Sequence, residues 1–338
     1  MRLGKGVVAV ALLSAASLCT AQNYRVTDHW KVGGQGRWDY LLSDDAAHRL
    51  YVVHTSRVEV IDTATGKPVG AVTGLKSGHG VALNPDHQTG YISDGAGNAI
   101  VVFNREDFSV QATVAVGTNP DGIIFEPTTK TVWAFNGRSK DVSVLQTGSN
   151  KVIATVPLPG KPEFPQVDEH GSVFVPIEDK NEIVKLDASR HRLVAEWKLP
   201  GCESPSGMAI DREKHRLFSV CDGEKMVVVD YESGIVLGLA VIGDSPDGSG
   251  FYPKGGVAFS SNGGDGTLTV VDASKPGFPV IQTVKTKLGA HTMAVDASTG
   301  RVYLPAAQFG PVPAPTEAVS HPRASVLPDT FEIIVVER

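Results

Sequence analysis

The sequence has little of what usually identifies a chemistry. Cysteine is scarce, with 3 in 338 residues, which excludes a disulfide-dense scaffold and any Cys-x-x-Cys metal or haem-attachment pattern. There is no Gly-x-Ser-x-Gly nucleophile elbow, no phosphate-binding loop and no His-Glu-x-x-His pair. Basic residues are in deficit. The 31 Lys and Arg, less Arg2 and Lys5 of the leader discussed below, leave 29 against 37 acidic residues, a charge of −8. That balance argues against nucleic acid as a partner, since phosphate-backbone binding needs a basic face. Past the leader, no apolar run reaches the ~20 residues of a membrane helix, so no membrane span is expected.

What is present begins with that leader. Residues 1–21, MRLGKGVVAVALLSAASLCTA, have a basic start, an apolar stretch and a small-residue end, the layout of a secretory signal cleaved near Ala21. The expected compartment is the periplasm or the exterior. Cleavage leaves two cysteines, Cys202 and Cys221, and in an exported protein an even pair invites a disulfide.

The rest of the chain repeats. Seven β-branched runs (VEVID, IVVFN, VSVLQ, IVKLD, MVVVD, LTVVD and IIVVE) end at residues 62, 104, 146, 187, 230, 272 and 337, with spacings of 42, 42, 41, 43, 42 and 65. Each is the third strand of a four-stranded unit: apolar strand, polar turn, aromatic strand, alternating strand, outer strand. The Asp and Gly of the polar turns read as hairpin chemistry rather than calcium loops. The seventh copy lacks an outer strand because the chain ends, and Tyr24 to Gly34, YRVTDHWKVGG, supplies one from the other terminus. This predicts an all-β fold: a seven-bladed β-propeller of four-stranded blades, closed by an N-terminal strand that completes the last blade. The expected organisation is a signal peptide, 1–21, followed by a single propeller domain, 22–338. The long last spacing holds a Pro-rich insertion in blade seven, 308–330, predicted to be extended and to fold over or beside the channel mouth.

The second-strand ends YISDG, WAFNG, FSVCDG and FSSNGG, each followed by an alternating strand, with TNPDGIIFEP and SPSGMAID before two of them, resemble the YVTN repeat. Over nearly the whole mature chain the sequence is similar to the YncE-like YVTN β-propellers of exported bacterial proteins. The resemblance implies a fold and says little of activity.

Counting back from the second-strand aromatic of each unit brings one residue per blade into register. Asp39, His79, Asp121, Ser206, Asp247 and His291 precede their partners by 12 residues, and Glu163 by 11. First strands line a propeller's axial channel, so four carboxylates, two imidazoles and one hydroxyl are expected around one mouth. Trp38 and Tyr40, flanking Asp39, add aromatic surface. An outer set, His54, Asp94, Asn136, Asp179, Asp222, Asn262 and Gln308, is expected to satisfy backbone groups at strand ends. The leading expectation is a protein that binds a small-molecule or protein ligand at an acidic/His mouth, without catalysis of its own. A divalent cation held by Asp121, Glu163, Asp247, His79 and His291 is the expected cofactor if there is one. Fold analogy supplies rivals: a lactonase-like metal-assisted hydrolase with Glu163 or His79 as base, or a quinone-dependent oxidoreductase. A protein-interaction scaffold or adhesin is the third.

Overall fold

The computed structural model describes residues 23–85, 88–316 and 322–338. The expected leader lies outside them. Among the described residues there is no α-helix, only two single 3₁₀ turns, Glu178–Lys180 and Pro253–Gly255. Among these residues no helix is long and apolar enough to cross a membrane.

Seven antiparallel sheets of four strands make the seven blades. Blades one to six run in chain order over residues 41–73, 78–115, 120–157, 166–198, 203–241 and 246–285. Blade seven joins Ala294–Val295, Val302–Ala306 and Glu332–Glu337 to Arg25–Lys31, the N-terminal strand, with Arg25 opposite Glu337 and Lys31 opposite Glu332. The ring closes as the repeat demands.

The core lies between blades. The alternating Val and Ile of each third strand pack against the neighbouring blade, so that Trp133, Val142 and Val144 of blade three share one cluster with Val173, Val175 and Val184 of blade four. All seven aromatics used to count the register are buried: Tyr51, Tyr91, Trp133, Phe174, Phe218, Phe259 and Tyr303. Each contributes roughly 1.5–3 kcal/mol by leaving water, which is why the repeat keeps a large ring there.

The first-strand turns are hairpins. Glu126 accepts from Thr128 N and Thr129 N, and Asp168 from His170 N and Ser172 N. In blade seven the insertion is more ordered at its base than an extended arm. Phe309 bridges Val326, Gly310 N donates to Ser325 O at 2.8 Å, and Leu327 N donates to Gln308 O at 2.9 Å. This short ladder leads the insertion along the mouth, where Arg37 donates to Ala324 O at 2.6 Å.

Candidate functional site

None of the register residues is the first residue of its strand. His79, Asp121 and Asp247 are second in the strands Gly78–Asn84, Pro120–Glu126 and Pro246–Tyr252, while Ser206 is fourth in Glu203–Asp211. Asp39, Glu163 and His291 precede short first strands, Leu41–Asp44, Gln166–Val167 and Ala294–Val295. Their blades lose strand length where the chain bends into the channel.

A local device aims the others. In blade three Pro120 pairs with Asn136 but Ile123 with Ala134, so Asp121 and Gly122 sit in a β-bulge. Blades two, five and six show the same shift at His79, Ser206 and Asp247. A bulge turns its extra side chain away from the pleat, here toward the axis. The glycine after each of these residues meets the next blade. A Cβ on Gly122 would stand 2.7 Å from Glu163 O, and one on Gly207 would overlap Asp247 O. Asp-Gly and Ser-Gly are therefore not turns here but points of close backbone approach. Hydroxyls fasten the ring between blades: Ser93 donates to Asp121 O at 2.5 Å, Ser261 to His291 O at 2.5 Å and Thr292 to Asp39 O at 2.8 Å.

All seven register residues, Asp39, His79, Asp121, Glu163, Ser206, Asp247 and His291, line one cavity of about 460 Å³, and so does Trp38. Within it the ionisable ones separate into three groups, while Ser206 Oγ donates to Pro246 O at 3.4 Å. His79 Nδ1 is 2.5 Å from Asp39 Oδ2 and 3.8 Å from Asp121 Oδ1. Glu163 lies 2.7 Å from Lys161 Nζ, which also pairs with Glu178. His291 Nε2 lies 3.9 Å from Asp247 Oδ2, and its Nδ1 donates to Gly289 O at 2.7 Å. Trp38 stacks beside His291 with centroids 5.9 Å apart.

Burial and mutual repulsion distort the titration of this cluster. Burial, followed by the Asp39 charge, pushes the Asp121 carboxyl up to about 6. Burial raises Asp247 as well, restrained by His291, and raises Asp39, restrained by its hydrogen bond to His79. Glu163 is pushed well above the carboxylate range by burial and by Asp121. Burial opposes the His79 imidazolium, but the Asp39 hydrogen bond and the Asp121 charge outweigh it and lift His79 to about 9. At Lys161 burial is likewise outweighed by Glu163 and Glu178, so the ammonium stays charged.

The five residues expected to share a cation are thus divided. Among the described residues, the donor atoms that come within 4.8 Å of one another belong to Asp39, His79 and Asp121. Glu163 is drawn to Lys161 instead, and Asp247 faces His291.

Several lining residues were not anticipated: Lys161, Glu178, Arg37, Arg323 and Phe309. Lys161 had a signal, two residues before Glu163. Phe309 and Arg323 come from the insertion, and Phe309 packs 5.9 Å from Trp38. Members of the outer set brace the frame. Asp94 accepts from Lys76 N and Ser77 N, and Asp179 accepts from Lys161 N. Asn136 donates to Asp141 and Ser143, and Asn262 to Thr267 and Thr269. His54 stacks on Phe331 at 4.4 Å.

Tyr40 faces away from Trp38's cluster and packs at a tilt of 49° on Phe164 of blade four, centroids 4.6 Å apart. Tyr40 lines the mouth cavity, and Phe164 lines a second cavity in the channel. Cys202 and Cys221 form a disulfide at the start of blade five, with Cα atoms 5.4 Å apart and both residues buried.

No family model matches the chain, and no curated protein matches it in sequence. In structure it is similar to hydrazine synthase of Kuenenia stuttgartiensis, with a TM-score of 0.72 at 14% identity, over 80% of this chain and 92% of that chain. At that identity the likeness shows the propeller fold and nothing further.

Proposed function

We propose that the protein is an exported propeller that binds a small cationic ligand at its acidic/His mouth, without bond-making chemistry of its own. The observation that carries this reading is the convergence of Asp39, Asp121, Glu163 and Asp247 on one cavity of small-molecule size. Asp39 and Glu163 already face His79 and Lys161, but a cation entering the cavity also meets Asp121 and Asp247, whose charge burial disfavours, and it lowers that cost. His291, about a third exposed and backed by the buried Trp38, offers a ring against which the organic part of an ammonium ligand can lie. The YVTN motifs and the leader support an exported, YncE-like protein, and a disulfide suits an oxidising compartment.

The test is calorimetry on chelator-treated protein with a panel of primary and quaternary amines. Saturable heat that disappears in Asp121→Asn with Asp247→Asn supports the reading, and no heat with any amine removes it. A divalent metal is the second reading, favoured by the 4.8 Å cluster of Asp39, His79 and Asp121. Metal analysis of the purified protein, with lactone and ester hydrolysis assays, separates that reading and its hydrolase form from the first. Loss of a protein partner on deleting residues 308–328, with the mouth intact, would instead favour a scaffold or adhesin.

A further inference from the structure

We infer that the other end of the channel is a second binding chamber, for a neutral small molecule with an apolar body. The cavity there measures about 600 Å³ and opens among blades one to four. That is within the ~300–1,000 Å³ of small-molecule sites. Leu42, Leu83, Ile124, Phe125 and Phe164 reach it from four successive blades. All five are only half-buried, although they stand inside the channel rather than on the outer surface. Water against such a wall finds few hydrogen-bond partners, so an apolar occupant displaces it favourably.

The polar groups of the lining decide the charge of that occupant. Asp44 pairs with Arg105, and Glu169 with Arg212 at 3.1 Å. Arg212 also donates from Nε to Val167 O at 3.1 Å. Asp45 already accepts from Ser43 Oγ at 2.6 Å and Ala297 N at 2.8 Å. The Gln166 amide nitrogen donates to Met208 O at 2.6 Å. Asp44 and Glu169 each have an arginine counter-ion and Asp45 is held by two neutral donors, so among the lining residues an anionic ligand would find no unpaired cation, whereas a neutral apolar one needs none.

This chamber is separate from the mouth. Blades one and four stand across the ring from each other, and the tilted Tyr40–Phe164 ring contact spans the axis between the two cavities. Occupancy of the rear chamber therefore does not require the mouth ligand, and the two inferences can fail independently.

The probe is N-phenyl-1-naphthylamine, a neutral apolar fluorophore, titrated into the mature protein. The expected result is saturable emission enhancement at one site per chain, weakened at least tenfold by Ile124→Trp, which fills the cavity. Leu83→Gln, which makes the wall polar, should weaken it as well, and provides the test should Ile124→Trp not fold. Circular dichroism and amine calorimetry at the mouth should match the unmodified protein in both variants. Unsaturable emission, or emission that survives both substitutions, would overturn the chamber. It would place the dye on the outer surface, where Ile235, Leu237, Leu239 and Val241 expose one aliphatic face of blade five's outer strand.

Discussion

His79 Nδ1 lies 2.5 Å from Asp39 Oδ2, joining the register residues of blades one and two. Both side chains are largely shielded from solvent, His79 at 20% and Asp39 at 25% exposure. Burial alone would favour a neutral imidazole. The bond to Asp39 and the nearby Asp121 reverse that preference and hold the His79 pKa at about 9. In an NMR titration, His79 should therefore titrate near 9, and in Asp39→Asn it should fall by at least one unit.

The same shift makes stability depend on pH. The folded pKa stands above the unfolded value of about 6.5, so the His79 contribution is complete below pH 6.5 and is lost as pH rises through about 9. Its size is at most about 3.4 kcal/mol. Denaturant midpoints measured at pH 6 and pH 9.5 should separate in the unmodified protein, and by less in His79→Gln.

Asp121 acts in the opposite range. Its folded pKa is raised from 3.8 to about 6, so the folded chain loses stability as pH rises through that window. Asp121→Asn removes a carboxylate that burial and Asp39 disfavour. At pH 7.5 the variant should be more stable by about 1–3 kcal/mol, and the difference should close below pH 4. The same substitution should weaken an amine ligand at the mouth. Greater stability together with lower affinity is the mark of a binding group, since a frame residue would lose both.

Gly207→Ala tests the packing of the ring. A Cβ at this position overlaps Asp247 O, which is backbone and cannot swing aside. The cost should be about 1–3 kcal/mol in a denaturant titration. Because the displaced atom belongs to Asp247, amine affinity should fall in the same variant.

The bond between Cys202 and Cys221 closes a segment with a sequence separation of 19. Replacing both cysteines with Ser should lower stability by about 3 kcal/mol on the chain-entropy estimate. Alkylation of the unreduced, unfolded protein should recover no free thiol from these two positions.

The parts of the molecule governed by period were legible in the sequence. The buried ring of each second strand, from Tyr51 to Tyr303, marks a place that every blade fills alike, and counting from it puts Asp39 through His291 on one channel. Contacts that cross the period were not legible. Lys161 and Glu178 meet across a hairpin within blade four, and Tyr40 meets Phe164 only because blades one and four stand opposite each other. The division of the expected cation set has the same origin. Equal positions in the repeat do not fix the few ångströms by which Glu163 leans to Lys161 and Asp39 to His79.

The strand Arg25–Lys31 is translated first and reaches its partner, Glu332–Glu337, last. Until then its backbone donors and acceptors have no mate. Tyr24 alone can be moored earlier, since it exchanges hydrogen bonds through its N–H and C=O with the Gln282 side chain of blade six. The final clasp spans almost the entire polypeptide, so it carries the largest loop-closure entropy in the molecule and belongs at the end of folding. The propeller thus keeps an open seam between blades six and one until Glu332–Glu337 is in place, and only then becomes a closed annulus.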